Sequence, residues 1–580
     1  MLASTLPLLA TVLAAASPVQ ALSTRYLDGL FHARPHLATY MGVHKEDGRL
    51  MDLDPESITH RIRELNVLAK DVKALDPAKL SADERADARI LVDGIALELL
   101  YLEEIKEWTW DPQLEDSFPF YDPREYVGSR LSELVHGTFA PESQRATWAA
   151  AELAALPQHL KVKQAALLTP DRVRLGQAVK DIAGLIGFFN TELKAFTSKH
   201  ADAEKARVGA AKALEEYQSF LSSFPAEKAT HDWRLGKALY DRKFPLALQT
   251  DLTPDQLQKT AEEAFEAERG KLFTVARTLF VELWPKESAP AENAPRETQA
   301  QVIRRVQDEI SKNHPPADQL VQAHADKLAS LRTFITEKKL LKLPPADTLR
   351  VLPTPEFKRG GGGAEYLSPG MLDTSSKWHG TFYVEPVDPT WPPEMVESYM
   401  RANDWYAITM TSAHEAYPGH HTQTWYARKN LNALRSTLWS GAFAEGWAVY
   451  GERLLIKEGL GGKAANARLG FREARSGMVV AANAFLDIKL QRGQMTDEEA
   501  LRFMEDDGFQ EKALAEKKLL RAKLDSTQLC QYFLGLSEVE ALERDVKARG
   551  KFDQRAFNEQ LLGHGTVPVK ILRSFFGLSP

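Results

Sequence analysis

His414 and Glu415 stand side by side, and His420 and His421 follow a proline and a glycine, in the run TSAHEAYPGHHTQTWYA that begins at Thr411. Imidazole and carboxylate are ligands for a divalent ion such as zinc, and a carboxylate that stays off the ion can act as a general base. In the zinc-peptidase pattern H-E-x-x-H the two histidines share one helix face, because each residue turns the helix by about 100°. His414 and His420 are six apart, and on an unbroken helix they diverge by about 120°. Pro418 cannot donate the helical hydrogen bond, and Gly419 tolerates dihedrals that other residues avoid. The chain is therefore expected to bulge at that pair and return His420 to the face of His414. His421 is the alternative ligand, but on a regular helix it lies about 10 Å along the axis from His414. His420 is preferred, and His421 is expected to touch a ligand histidine or the substrate.

A catalytic zinc usually takes three protein ligands and keeps one position open, and His-His-Glu is a recurrent set. The segment SGAFAEGWAVYGERLLIKEG, from Ser440, supplies Glu445 and Glu452. Glu445, among Ala444, Gly446 and Ala448, sits where another helix can approach, and is the expected third ligand. Glu452 lies two turns on, suited either to a contact with a ligand histidine or to a surface salt bridge. Glu415 is expected to take a proton from metal-activated water and pass it to the leaving amine.

The elements that must hold these groups are helices. Leu91, Ile95, Leu99 and Leu102 repeat at helical spacing, Thr253-Pro254 marks a helix start, and Thr496 with Glu499 forms a capping box. Strand alternation is scarce, so the chain is expected to be mainly α. The Pro- and Ala-rich stretch from Pro285 reads as a loop between long helices. Around residues 346–392 Pro, Gly and Tyr accumulate, and GTFYVEP, residues 380–386, is the best strand candidate. The glycines 360–363 lack the Lys-Ser/Thr of a phosphate loop and read as a mobile loop.

Of the 580 residues 44% are hydrophobic and 26% charged, which fits a folded, soluble protein, and the net charge is −7. No run of like charges offers a surface for nucleic acid. The single cysteine, Cys530, excludes an internal disulfide framework or a cysteine cluster within one chain. The N-terminal MLASTLPLLATVLAAASPVQALS carries an apolar stretch and the small-x-small pattern Val19-Gln20-Ala21. Residues 1–21 are expected to be an export signal cleaved after Ala21, placing residues 22–580 in the periplasm or outside the cell, although a first buried helix is the alternative. No later segment is apolar enough to cross a bilayer.

The pieces HEAYPGHHTQ (414–423), EGWAVYGE (445–452), ATYMGVH (38–44), GTFYVEP and FNEQLLGHGTVPV (557–569) resemble a bacterial family known as domain of unknown function 885. The family is regarded as zincin-like metallopeptidases, often exported. The resemblance spans nearly the whole chain and implies one helical catalytic unit, of one or two lobes, with a deep cleft and the metal site within residues 405–455. In architecture the chain also resembles helical gluzincins such as carboxypeptidase Taq. Position by position, the family pattern implicates His414, Glu415, His420 and Glu445, and it implies that GTFYVEP lines the cleft and pairs with an extended peptide. STQLCQYFLG (526–535) is similar to a family stretch in which Gln528 and Tyr532 match. Tyr532 is thus a candidate oxyanion donor, or a tyrosine on a core face. The chain departs from the pattern at Gln491, where a histidine is common, while keeping Asp487, and at Ser526 and Thr527. The resulting expectation is an exported zinc peptidase of short peptides. A zinc hydrolase of a non-peptide amide or ester, or a periplasmic peptide-binding scaffold without chemistry, are its rivals.

Overall fold

The computed structural model describes residues 17–118, 124–355, 359, 363–373 and 378–579. The chain is mostly helix. The main helices are α1 (Pro18–Ala33), α2 (Ala82–Leu100), α3 (Glu142–Ala166), α4 (Ala201–Ser222), α5 (Pro254–Leu283), α6 (Arg296–Ser311) and α7 (Leu320–Glu337). After a small sheet come α8 (Trp405–Glu415), α9 (His420–Lys429), α10 (Gly441–Lys457), α11 (Gly462–Gln491), α12 (Lys512–Leu524) and α13 (Cys530–Ala548). The sequence marks several of these boundaries. Thr253 and Gln256 close a capping box on α5, Thr496 and Glu499 do the same on the short helix Asp497–Asp506, and the stretch from Pro285 forms the loop between α5 and α6. Leu91 and Ile95 are buried on α2, while Leu99 and Leu102 pack at the edge of the same core.

Among the described residues, three apolar cores organise the fold. The first gathers α1, α2, α7, the sheet, α8 and most of α10. The second gathers α5, α6, α11 and α12. The third lies between α3, α4 and their neighbours. Tyr406, Tyr532 and Leu235 pack against both of the first two cores, so Tyr532 stands at their seam.

The sheet consists of β1 (Leu349–Pro353), β2 (Ala364–Leu367) and β3 (Gly380–Val384), in the order β1-β3-β2. β3, inside the expected GTFYVEP strand, is central, parallel to β1 and antiparallel to β2. This corrects the expectation that it pairs with an extended peptide, because both of its hydrogen-bonding edges are occupied. The edge toward the expected metal site is β2, which begins just after the glycines read as a mobile loop. Glycines 360–362 and residues 1–16 of the expected export signal lie outside the described residues. Ala21 falls inside α1, whose Val19 is buried, so cleavage after Ala21 would remove the first turn of that helix.

Candidate metal centre

α8 stops at Glu415 and α9 starts at His420. Between them the chain bends through Ala416–Gly419, with the Gly419 amide donating to the Ala413 carbonyl at 3.0 Å and a cis Tyr417–Pro418 bond. A Cβ at Gly419 would fall 1.7 Å from the His414 carbonyl oxygen, so this tight return of the backbone requires glycine. The buried Trp447 of α10 fixes the bend from below, its indole N–H donating to the Pro418 carbonyl at 2.9 Å. Gly451, one turn further on, leaves room for the Pro418 ring.

The bend brings the predicted groups together. The His414 and His420 rings stand edge to face with centroids 4.8 Å apart. Glu445 Oε2 lies 3.2 Å from His414 Nε2 and 3.7 Å from His420 Nε2. One ligand atom from each of these three residues falls within 4.8 Å of the other two. Glu445 is buried, and both histidines keep a sixth or less of their side-chain surface. Behind His414, Glu452 Oε1 meets Nδ1 at 2.7 Å, which turns Nε2 toward Glu445. Of the two readings for Glu452, the structure therefore gives the histidine contact.

The electrostatics follow from this crowding. Burial works to raise the Glu445 carboxyl, but the facing imidazoles of His420 and His414 overcome it and hold the group well below the usual range. Burial opposes a charge on His414, and Glu445 and Glu452 outweigh it, raising its pKa. Burial pushes the Glu415 carboxyl up against the pull of the same two imidazoles. Glu415 is not one of the three clustered donors; its Oε2 accepts from the Tyr366 backbone N–H of β2 at 2.9 Å.

His421 turns away from the cluster. It stacks on Trp378, with its Nε2 3.1 Å from Thr348 Oγ1 and its Nδ1 3.3 Å from the Tyr366 hydroxyl. Burial and then Arg332 drive its pKa down to about 3, so it stays neutral. It braces the strand that orients Glu415, and touches no ligand histidine directly. Tyr532 projects from α13, partly exposed, and burial followed by the charge of Glu445 raises the pKa of its phenol. What brings α13 so near is a glycine pair, Gly446 and Gly535, at which the two helices meet backbone to backbone. Asp487 accepts from Tyr240 Oη and from the amides of Thr527 and Leu529, and Gln491 binds the carbonyls of Ala522 and Asp525. These two positions hold the turn that leads into Tyr532. Tyr366 is the participant that sequence reasoning missed, because its backbone rather than its side chain meets Glu415.

A cavity of about 110 Å³ opens beside His420 and runs between Tyr366, Gln423 and Arg435. The Arg435 guanidinium there is already paired with Asp83 and Asp87. No described helix is long and apolar enough to cross a membrane.

A family model described as a bacterial protein of unknown function, DUF885, matches residues 35–575. Among solved structures, the chain is similar to a candidate lipoprotein of unknown function from Shewanella oneidensis, with 27% identity and a TM-score of 0.81 over 97% of this chain and 100% of the other. A candidate lipoprotein from Colwellia psychrerythraea is 17% identical, with a TM-score of 0.76 over 97% and 99% of the two chains, and shares the fold. No curated protein matches.

Proposed function

The chain belongs to this bacterial family, DUF885, through residues 35–575, and on that footing we propose that it is a zinc-dependent peptidase of short peptides acting outside the cytoplasm. The donor set carries the reading: two imidazoles and one carboxylate within 4.8 Å, with Glu452 behind His414. Tetrahedral zinc at about 2.0–2.1 Å from each ligand asks for donors about 3.3 Å apart. The spacings of 3.2 and 3.7 Å from Glu445 to the two histidines fit that demand. Imidazole nitrogens suit zinc better than a hard cation such as magnesium, and three protein donors leave a position for water or substrate.

When bound, such an ion supplies positive charge that eases deprotonation of water and polarises a carbonyl. Glu415, half-buried and aimed by the Tyr366 amide, takes the proton of the attacking water and returns it to the leaving amine. Tyr532, whose phenol burial and the Glu445 charge hold protonated, has its own proton to offer the developing oxyanion. The edge of β2, rather than β3, offers an extended peptide its backbone partners. Action outside the cytoplasm draws on the apolar N-terminal stretch and on the description of the structural neighbours as candidate lipoproteins.

Metal analysis and digestion of a mixed peptide library test the reading. Wild type is expected to carry one zinc and to cleave peptides in a chelator-sensitive way. His420→Ala should lose the metal, His421→Ala should keep it, and Glu415→Gln should keep the metal while losing cleavage. A wild type that holds peptide without turning it over, or that releases only a non-peptide product, refutes the proposal.

A further inference from the structure

The cavity beside His420 is walled by one face of α9. His420, Gln423, Thr424 and Ala427 line it at helical spacing, so the metal centre and the cavity share that face. Ala444, the neighbour of Glu445 on α10, lines it from another side. Tyr366 joins it to the general base, because this residue lines the cavity while its backbone N–H donates to Glu415 at 2.9 Å. A side chain that enters the cavity from a bound peptide therefore belongs to a residue next to the bond that Glu415 faces.

The lining sorts by chemistry. Tyr40, Met41, Met371 and Trp439 supply apolar surface continuous with the first core. Most polar groups along the wall are engaged within the protein. The Tyr366 hydroxyl and Thr424 Oγ1 bond each other at 2.8 Å, Asn432 donates to Asp87 at 2.9 Å, and Asn430 donates to the Gly563 carbonyl. Arg435 is the one fixed charge among the described lining residues, and Asp83 and Asp87 balance it. Gln423 differs. It is 3% exposed and its amide nitrogen has no acceptor, the state of a buried donor that a bound group can complete. A lysine side chain drawn in would lose its water beside Arg435, and a glutamate would find that guanidinium already paired, so either is desolvated without a partner. An aliphatic side chain suffers no such loss. An apolar cavity of about 150 Å³ holds benzene, so one of about 110 Å³ suits a branched chain such as that of leucine.

We propose that this cavity is the side-chain pocket of the substrate, selecting peptides with an uncharged aliphatic residue of leucine size beside the scissile bond, and that the Gln423 amide donates to a carbonyl of the bound peptide. The inference rests on the peptidase reading and narrows its substrate class.

The probes are acetyl-Ala-Leu-Ala amide and its counterparts with alanine, phenylalanine, lysine or glutamate in the middle. They are titrated calorimetrically into the zinc-loaded full-length protein, and into Glu415→Gln so that turnover adds no heat. The leucine peptide is expected to bind about tenfold or more tightly than the alanine peptide, and the lysine and glutamate peptides no more tightly than alanine. Ala427→Leu fills the cavity from α9, and the ratio of leucine to alanine affinity should fall to about twofold or less. Met371 is half-buried, so Met371→Ala does not threaten the fold; it widens the cavity and should move the preference from leucine to phenylalanine. Gln423→Met removes the donor and should weaken the leucine and alanine peptides alike by about fivefold; unchanged affinity refutes the role of the amide. Equal affinity for leucine and alanine in the wild type overturns the proposal, as does a charged peptide that binds as tightly as leucine. A leucine preference unchanged in both Ala427→Leu and Met371→Ala places the pocket elsewhere and overturns it too. Metal content and cleavage do not depend on which side chain fits, so chelator-sensitive cleavage without side-chain preference refutes this inference and leaves the peptidase reading standing.

Discussion

Replacing Gly535 by alanine is expected to push α10 and α13 apart and to disturb the metal centre with them. A Cβ at Gly535 falls 1.7 Å from the Ala442 carbonyl oxygen and 2.9 Å from Gly446 Cα, where ordinary contact begins at 3.4 Å. The obstruction is backbone on both sides, so no side chain can swing out of the way, and the axes must part by on the order of 1 Å. Overpacking of this kind belongs at the upper end of its usual range, about 3 kcal/mol. Alanine's better helix propensity offsets about 1 kcal/mol of that, leaving a net loss of about 2 kcal/mol. For a single cooperative unit of this length, at about 2.1 cal/mol/K of unfolding entropy per residue, this corresponds to a fall of roughly 1–2 °C in Tm. Because Glu445 is the neighbour of Gly446 on α10, zinc affinity should fall as well. Gly270→Ala is the control. It lies within α5, where an added Cβ meets nothing within 4 Å, so the same substitution should raise Tm slightly through propensity alone. Differential scanning calorimetry with metal analysis of both variants reads the outcome. A Gly535→Ala protein that melts with the wild type and binds zinc equally well would show that the helix crossing is not what positions Glu445.

Glu452→Gln should leave the fold intact but weaken metal binding by about 10–100-fold, because His414 loses the carboxylate that orients its ring; competition with a chromogenic chelator measures this. Tyr532→Phe should lower kcat by about 10²–10³-fold with KM little changed, if the phenol acts on the transition state, and steady-state kinetics on a cleaved peptide decide it. Glu538, whose carboxyl burial raises to about 7, gives a pH signature. A folded-state pKa above the ordinary 4.5 means that its contribution is fully present below pH 4.5 and is lost as the pH climbs through 7. Glu538→Gln should therefore gain in Tm relative to wild type between pH 5 and pH 8, and a constant difference across that window would contradict the assignment.

The parts of the site that were legible in the sequence are those fixed by local chemistry. His414, Glu415, His420 and Glu445 could be placed because a proline and a glycine permit only a short bend, and because small residues around Glu445 mark a close helix approach. The register of α9 decides His421: both histidines lie on that helix, successive residues diverge by about 100°, and which of the two the bend delivers to His414 is settled only by the tertiary path of the chain. The β3 segment was readable as a strand, whereas its central place was not, since the partner β2 adjoins glycines that carry no pattern. Tyr366 was invisible because it acts through a backbone amide, a group every residue except proline possesses. The role of Glu452 stayed open in the sequence because an acidic residue next to an arginine looks the same whether its helix face is wet or dry.

α13 enters the second core with Cys530, Phe533 and Leu534 and leaves through the first with Leu536, Val539 and Leu542. A single rod threaded through two oily interiors ties their fates. Neither can loosen without stripping the other of half its shared helix, so both should denature in one calorimetric transition, and a protease that nicks a surface loop should release no independently stable half.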